Sequence, residues 1–89
     1  MIRKNYIITG KVQMVGFRAR VQEEAENLKL TGFVRNESDG SVHVESQGPE
    51  DDLSWFEDGL KLGPPAARVE KVESNLMDVI TDEEAFEIR

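Results

Sequence analysis

The sequence of 89 residues contains no cysteine and only one histidine, and none of its apolar runs is long. Without cysteine, disulfide bonds, thiolate catalysis and cysteine-ligated zinc are excluded. A transmembrane helix needs about 20 consecutive apolar residues, so no membrane span is expected. The N-terminus, residues 1–6, also lacks the apolar core of a signal peptide. We therefore expect a cytoplasmic protein with no membrane partner.

Basic residues are scarce as well. The chain has 11 Lys and Arg against 18 Asp and Glu, which gives a formal net charge of −7. Nucleic-acid binding needs basic surface that neutralises phosphates, so a nucleic-acid partner is not expected. A small anionic ligand would have to be bound by a preorganised local site, against the field of the whole protein. The length fits a single domain over residues 1–89, and we expect a monomer.

Hydrophobic periodicity predicts a strand, a helix and a hairpin in the first half of the chain. Alternating residues predict a strand over residues 5–12, which a glycine-bounded loop, residues 13–16, connects to a helix over Phe17–Lys29. The apolar residues of this segment recur at spacings of four, four and three, which places them on one helix face. Residues 33–35 and Ser41–Gln47 then flank a polar turn, which is typical of a hairpin.

The second half of the chain predicts one more helix and two strands. Pro49 and the three acids after it favour a helix start, and Gly63 followed by two prolines ends that helix. Residues 67–73 predict a strand, in which a three-residue spacing between its two inward valines indicates a bulge or a bend. Residues 74–84 are polar and acidic and predict a connection. Residues 85–89 alternate again and predict a short edge strand.

The resulting order, β-α-β-β-α-β plus a short C-terminal strand, is typical of the split β-α-β arrangement. We therefore expect an α+β, ferredoxin-like fold, with an antiparallel sheet and two helices on one face. Trp55 lies off the apolar face of the second helix, and we expect it to be a partly buried packing residue. His43 lies within a strand and is expected on the sheet surface, because a metal site would need more ligands than the chain can gather.

The loop that joins the first strand to the first helix has features of an anion site. The first turn of a helix leaves about four backbone N–H groups unpaired, and with the helix dipole these groups attract anions. Gly16 allows a ligand to approach the backbone, and Arg18 offers a fork of donors that matches phosphate or carboxylate oxygens. The residues do not fit the G-x-x-x-x-G-K-[ST] motif of nucleotide-binding loops. On these features alone, phosphate binding and an ordinary surface arginine both remain open.

Two segments carry a resemblance to a known family. Gly10–Arg18, with the sequence Gly-Lys-Val-Gln-Met-Val-Gly-Phe-Arg, resembles the first signature of the acylphosphatases, and Gly32–Val42 resembles the second. The resemblance implies hydrolysis of carboxyl-phosphate mixed anhydrides, small acyl phosphates, to a carboxylate and inorganic phosphate, with no metal and no cofactor. It also implies that Arg18 clamps the phosphoryl group and that Asn36 holds the attacking water. Backbone amides would complete the substrate-binding site over Gln13, Met14, Val15, Gly16, Phe17 and Arg18.

Met14 departs from the family pattern, which usually has glycine at this position. If the position requires positive φ, methionine costs roughly 1–2 kcal/mol there. Two hypotheses follow: an active acylphosphatase, which we favour, and a phosphate-binding or acyl-phosphate-binding module with weak or no turnover. An RNA-recognition module of similar fold is disfavoured, because the predicted third strand carries no aromatic residue. By family analogy, the terminal carboxylate of Arg89 is expected near Arg18.

Overall fold

A computed structural model describes all 89 residues of the chain. It contains the predicted elements in the predicted order, which confirms the ferredoxin-like fold. Neither helix has the length and apolar character that a membrane span requires. The elements are β1 (Ile2–Lys11), α1 (Phe17–Asn27), β2 (Thr31–Asn36), β3 (Val42–Gly48), α2 (Glu50–Leu62), β4 (Arg68–Met77) and β5 (Phe86–Ile88).

The five strands form one sheet in the order β4-β1-β3-β2-β5. The first four strands are antiparallel to their neighbours, as predicted, whereas β5 runs parallel to β2. This parallel pair follows from the topology. Strands β4 and β2 run in opposite directions, so the chain leaves β4 at the end of the sheet where β2 begins. β5 then enters the edge beside β2 in the same direction as β2.

Both helices contribute to one hydrophobic core that also contains the inward residues of the sheet. Phe56 of α2 lies at its centre, with its ring edge-to-face against Tyr6 at 6.0 Å and against Phe86 at 6.2 Å. The periodic apolar residues of both helices are almost completely buried, which accounts for the spacing seen in the sequence. They are Phe17, Val21 and Ala25 in α1 and Leu53, Phe56 and Leu60 in α2.

A β-bulge interrupts the pairing of β1 with β4 and confirms the irregularity predicted from the valine spacing. Thr9 pairs with Lys71 and Gly10 with Val69, so one residue of β4, Glu70, has no partner on β1. The bulge turns Val69 and Val72 toward the same side, where both are half-buried against the core. The extra residue lies on β4, so β4 bends beside the end of β1 that enters the loop leading to α1.

Strands β1 and β4 are both longer than their hydrophobic patterns predicted. β1 begins at Ile2, and β4 continues through residues 74–77, which were expected to form a connection. The added residues of β4 pair with the first part of β1, from Arg3 opposite Met77 to Tyr6 opposite Ser74. Because β4 is an edge strand with an exposed outer face, backbone pairing maintains it without apolar alternation.

Two side chains outside the core settle further expectations. Trp55 is 71% exposed, so the prediction of a partly buried packing residue is wrong. It lies on the outer side of α2, where the inner face is already filled by Leu53, Phe56 and Leu60. His43 lies on the surface of the sheet, as predicted, with its ring centroid 5.6 Å from that of Phe33.

Candidate active site

The loop after β1 presents a run of backbone N–H groups that are free to bind a ligand. Gly16 forms the N-cap of α1 at φ 79°, and no side chain caps the helix. The first N–H in this region that binds a backbone carbonyl is that of Arg20, which donates to Gly16 O at 3.2 Å. Apart from bonds within helices and strands, the N–H groups of residues 13–19 therefore donate to no backbone carbonyl. Together with the positive end of the helix dipole they form an anion cradle.

Met14 adopts the positive φ that the family's glycine suggested. Its φ is 60°, in the left-handed region, where a residue with a Cβ costs roughly 1–2 kcal/mol. Its side chain is fully exposed, so it points away from the protein interior. The backbone of the cradle thus follows the conformation that glycine would favour, and the methionine side chain lies at the mouth of the site.

A pocket of about 230 Å³ lies beside this cradle and brings Arg18 and Asn36 together. Arg18 comes from the first turn of α1 and Asn36 from the last residue of β2, so two distant segments meet there. No acidic residue lines the pocket. Of the predicted ligands, Gln13 and Val15 are not part of its wall, and Val15 packs against the core instead. The lining residues are Val12, Met14, Gly16, Phe17, Arg18, Ala19, Asn36 and Ile88.

Arg18 makes no ion pair in a chain that is rich in acids. Four of the six arginines are paired with carboxylates, including Arg20, which binds Glu24 at 2.9 Å. The guanidinium of Arg18 is exposed at the pocket and keeps its donors available. An unpaired guanidinium beside free backbone amides can bind a phosphoryl group through several charge-assisted hydrogen bonds.

Asn36 carries a buried acceptor that the protein leaves unused. Its Oδ1 is buried and accepts no hydrogen bond. Buried polar atoms in folded proteins are nearly always paired, so this unpaired atom, on a residue that lines the pocket, calls for an explanation. A carboxamide oxygen accepts a hydrogen bond from water without taking a proton from it, and it can therefore orient that water.

The acids that follow Asn36 are held away from the pocket. The Arg35 Nε donates to Glu37 Oε1 at 2.6 Å, and this hydrogen bond holds the pKa of Glu37 below its ordinary value. Ser41 donates to Asp39 through its hydroxyl and its backbone N–H, which lowers the pKa of Asp39. Both carboxylates are thus ionised but engaged locally. The carboxylates of the turn therefore do not line the site that would bind an anion.

Three features of the site were not found from the sequence. Ile88 of β5 joins the pocket wall, because β5 pairs with β2 and places Ile88 opposite Val34. The side-chain amide of Gln13, for which the sequence predicted no role, donates to the β2–β3 turn. The terminal carboxylate of Arg89 forms no ion pair with Arg18. The Arg89 N–H donates to Val34 O at 2.8 Å, and its guanidinium binds Glu87.

Comparisons with known proteins agree on one family. The acylphosphatase family model matches residues 4–88. The chain is 46% identical to the acylphosphatase of Salinibacter ruber over 92% of its own length and 86% of that protein's. It is 43% identical to the acylphosphatase of Geobacillus kaustophilus, over 99% and 94% of the two lengths. The crystal structure of acylphosphatase from Bacillus subtilis superposes with a TM-score of 0.96 at 36% identity, covering 100% of this chain and 99% of that chain.

Proposed function

The chain belongs to the acylphosphatase family, and we propose that it hydrolyses acyl phosphates by direct attack of a water molecule held by Asn36. In this proposal Arg18 and the backbone amides of the cradle bind the phosphoryl group. The observation that carries it is the meeting of the unpaired guanidinium of Arg18, the side chain of Asn36 and free backbone amides at one pocket.

The reaction needs little more than these groups. The water oxygen forms a bond to phosphorus, and the bond between phosphorus and the acyl oxygen breaks with its electron pair. The leaving group is a carboxylate, which is stable without a proton, so a general acid is dispensable. The protein therefore has to neutralise the charge of the phosphoryl oxygens and hold the water in line with the breaking bond.

Each role matches the chemistry of the residue. Arg18 stays charged and can bind two phosphoryl oxygens at once. The amides of the cradle, from Gln13 to Arg18, add directed donors at the positive end of α1. The carboxamide of Asn36 forms a hydrogen bond with the water and so fixes its orientation. The proton that the water loses passes to solvent or to a phosphate oxygen.

The proposed site is complete within one copy of the chain, since all of its lining residues come from residues 12–88 of the same molecule. We therefore propose that a single domain over residues 1–89 acts as a monomer on small acyl phosphates. Specific activity should then be independent of protein concentration.

The decisive experiment is hydrolysis of benzoyl phosphate by the wild type, Arg18→Ala and Asn36→Ala, with inorganic phosphate as a competitive inhibitor. Asn36→Ala should lower kcat by about 100- to 1,000-fold and leave phosphate inhibition nearly unchanged. Arg18→Ala should weaken phosphate inhibition as well as the rate. Matched controls are Arg68→Ala, another arginine without an ion pair, and Asn27→Ala, both outside the pocket. Equal activity in all of these proteins would refute the residue roles.

The alternative, a binding module with weak or no turnover, rests on the positive φ of Met14. It predicts that the wild type binds phosphate and hydrolyses benzoyl phosphate no faster than the background. The Met14 side chain is exposed and is not buried in the cradle, and the backbone there keeps the conformation that glycine would favour. Both observations favour turnover.

A further inference from the structure

The side chain of Gln13 connects the phosphate cradle to the turn that follows Asn36. Its Nε2 donates to two backbone carbonyls of that turn, Glu37 O at 2.8 Å and Ser41 O at 3.0 Å. Ser41 O also accepts the backbone N–H of Glu37 at 2.9 Å, which closes the turn. Both donors of one amide group are thus used on a turn that begins directly after Asn36.

The sheet itself does not hold these two parts of the site together. β1 and β2 are not neighbours, because β3 lies between them. The pairing of β1 with β3 ends at Ile8 opposite Val42, so residues 9–11 of β1 pair only with β4, on the other side. Beyond Ile8, the chain that enters the cradle has no strand pairing on the side of Asn36. The Gln13 side chain spans this gap beside the first residue of β3, Val42.

We infer that Gln13 is a positioning residue, which fixes the distance between the bound phosphoryl group and the water held by Asn36. This inference rests on the proposed function. Arg18 and the amides set the position of phosphorus, whereas Asn36 sets the position of the water. In-line attack depends on the distance between the two, and a displacement of about 1 Å can cost roughly 100-fold in rate. Gln13 acts on this distance without touching the substrate through its side chain.

The test is a double-mutant cycle between Gln13→Met and Asn36→Ala, measured as kcat on benzoyl phosphate. Methionine has a similar length to glutamine and lacks the two donors. Gln13→Met alone should lower kcat by about 10- to 100-fold, with phosphate inhibition changed by less than about threefold. In the Asn36→Ala background the same change should lower kcat by less than about twofold, because the positioned water is already lost.

Gln47→Met is the matched control. The side chain of Gln47 also binds a distant backbone group, because its Nε2 donates to Ile80 O at 2.9 Å. Gln47 lies outside the pocket. It should lower the melting temperature and leave kcat unchanged. If Gln13→Met likewise lowers only the melting temperature, the positioning role is refuted. An equal loss of kcat in the wild type and in Asn36→Ala would also overturn the inference, because Gln13 would then act on the cradle alone.

A second variant, Gln13→Glu, keeps the test available if Gln13→Met does not fold. Its ionised carboxylate would face two carbonyl oxygens, whereas its protonated form regains one donor. The deficit in kcat relative to the wild type should therefore shrink between about pH 8 and pH 5. A deficit that does not change with pH contradicts the role of the donated hydrogen bonds. Full activity of Asn36→Ala would instead refute the water-holding role proposed for Asn36, whatever Gln13 does, and hydrolysis of benzoyl phosphate at the background rate by the wild type would refute the proposed activity.

Discussion

Replacement of Met14 by glycine should make the protein more stable, although it removes a larger side chain. Met14 has φ 60° and a fully exposed side chain, so the change relieves backbone strain and removes no buried contact. The relief is worth about 1–2 kcal/mol for a residue in the left-handed region. Glycine also gives the unfolded chain more freedom, which costs about 0.5–1 kcal/mol. The net gain then lies between about 0 and 1.5 kcal/mol, and its midpoint of about 0.75 kcal/mol corresponds to roughly 3–6 °C in Tm for a domain of this size.

Thermal unfolding followed by circular dichroism measures this gain, and Lys29→Gly is its control. Lys29 has φ 59°, is exposed and lies after α1, away from the pocket. Both variants should gain stability to a similar extent, because both relieve the same backbone strain. A fall in the Tm of Met14→Gly, with a rise in that of Lys29→Gly, would refute the assignment of strain at Met14.

The same variant tests the cradle. Because glycine keeps the backbone conformation that Met14 already has, kcat/KM on benzoyl phosphate should stay within about threefold of the wild type. The wild type could hydrolyse benzoyl phosphate only at the background rate while Met14→Gly shows clear turnover. This result would show that the methionine side chain blocks the site. The binding-module hypothesis would then be correct for the natural chain.

Three further changes test the fold around the site. Gly10→Ala should cost about 2–5 kcal/mol in chemical denaturation, because Gly10 has φ 122° and a Cβ there would collide with β4 backbone at the bulge. Burial alone would raise the pKa of Glu83, but the hydrogen bonds and the charge of the buried Arg3 outweigh it and leave the pKa lowered. The ionised Glu83 therefore stabilises the protein above about pH 4.3, and this effect is lost as the pH falls through the lowered pKa. Glu83→Gln should then be destabilising by about 1–3 kcal/mol at pH 7 and neutral in strong acid. Trp55→Gln should change the free energy of unfolding by less than about 0.5 kcal/mol, and the fluorescence of this exposed tryptophan should shift little when the wild type unfolds.

The parts of the fold that could be predicted are those with a local pattern. The helix faces follow from spacings of three and four residues, and even the bulge was visible, because two inward valines of one strand stood three residues apart. The extension of β4 to Met77 and the burial of Arg3 were not visible. Both depend on a partner far along the chain: β4 is extended by its pairing with residues 3–6, and Arg3 is buried by its contacts with Glu45 and Glu83.

The candidate site divides along the same line. Arg18 and the amides of the cradle lie within one strand-to-helix junction. Residue type and short spacing left phosphate binding and a surface arginine open there, and the resemblance to the acylphosphatases favoured phosphate binding. Ile88 enters the pocket only because β5 pairs with β2, and Gln13 reaches a carbonyl 28 residues away. The position of a glutamine in a loop sequence does not reveal whether its side chain binds phosphate or binds a distant turn. The distinction matters for catalysis, because the groups proposed to bind the phosphoryl oxygens and the water are local features, whereas the distance between them depends on contacts between distant segments.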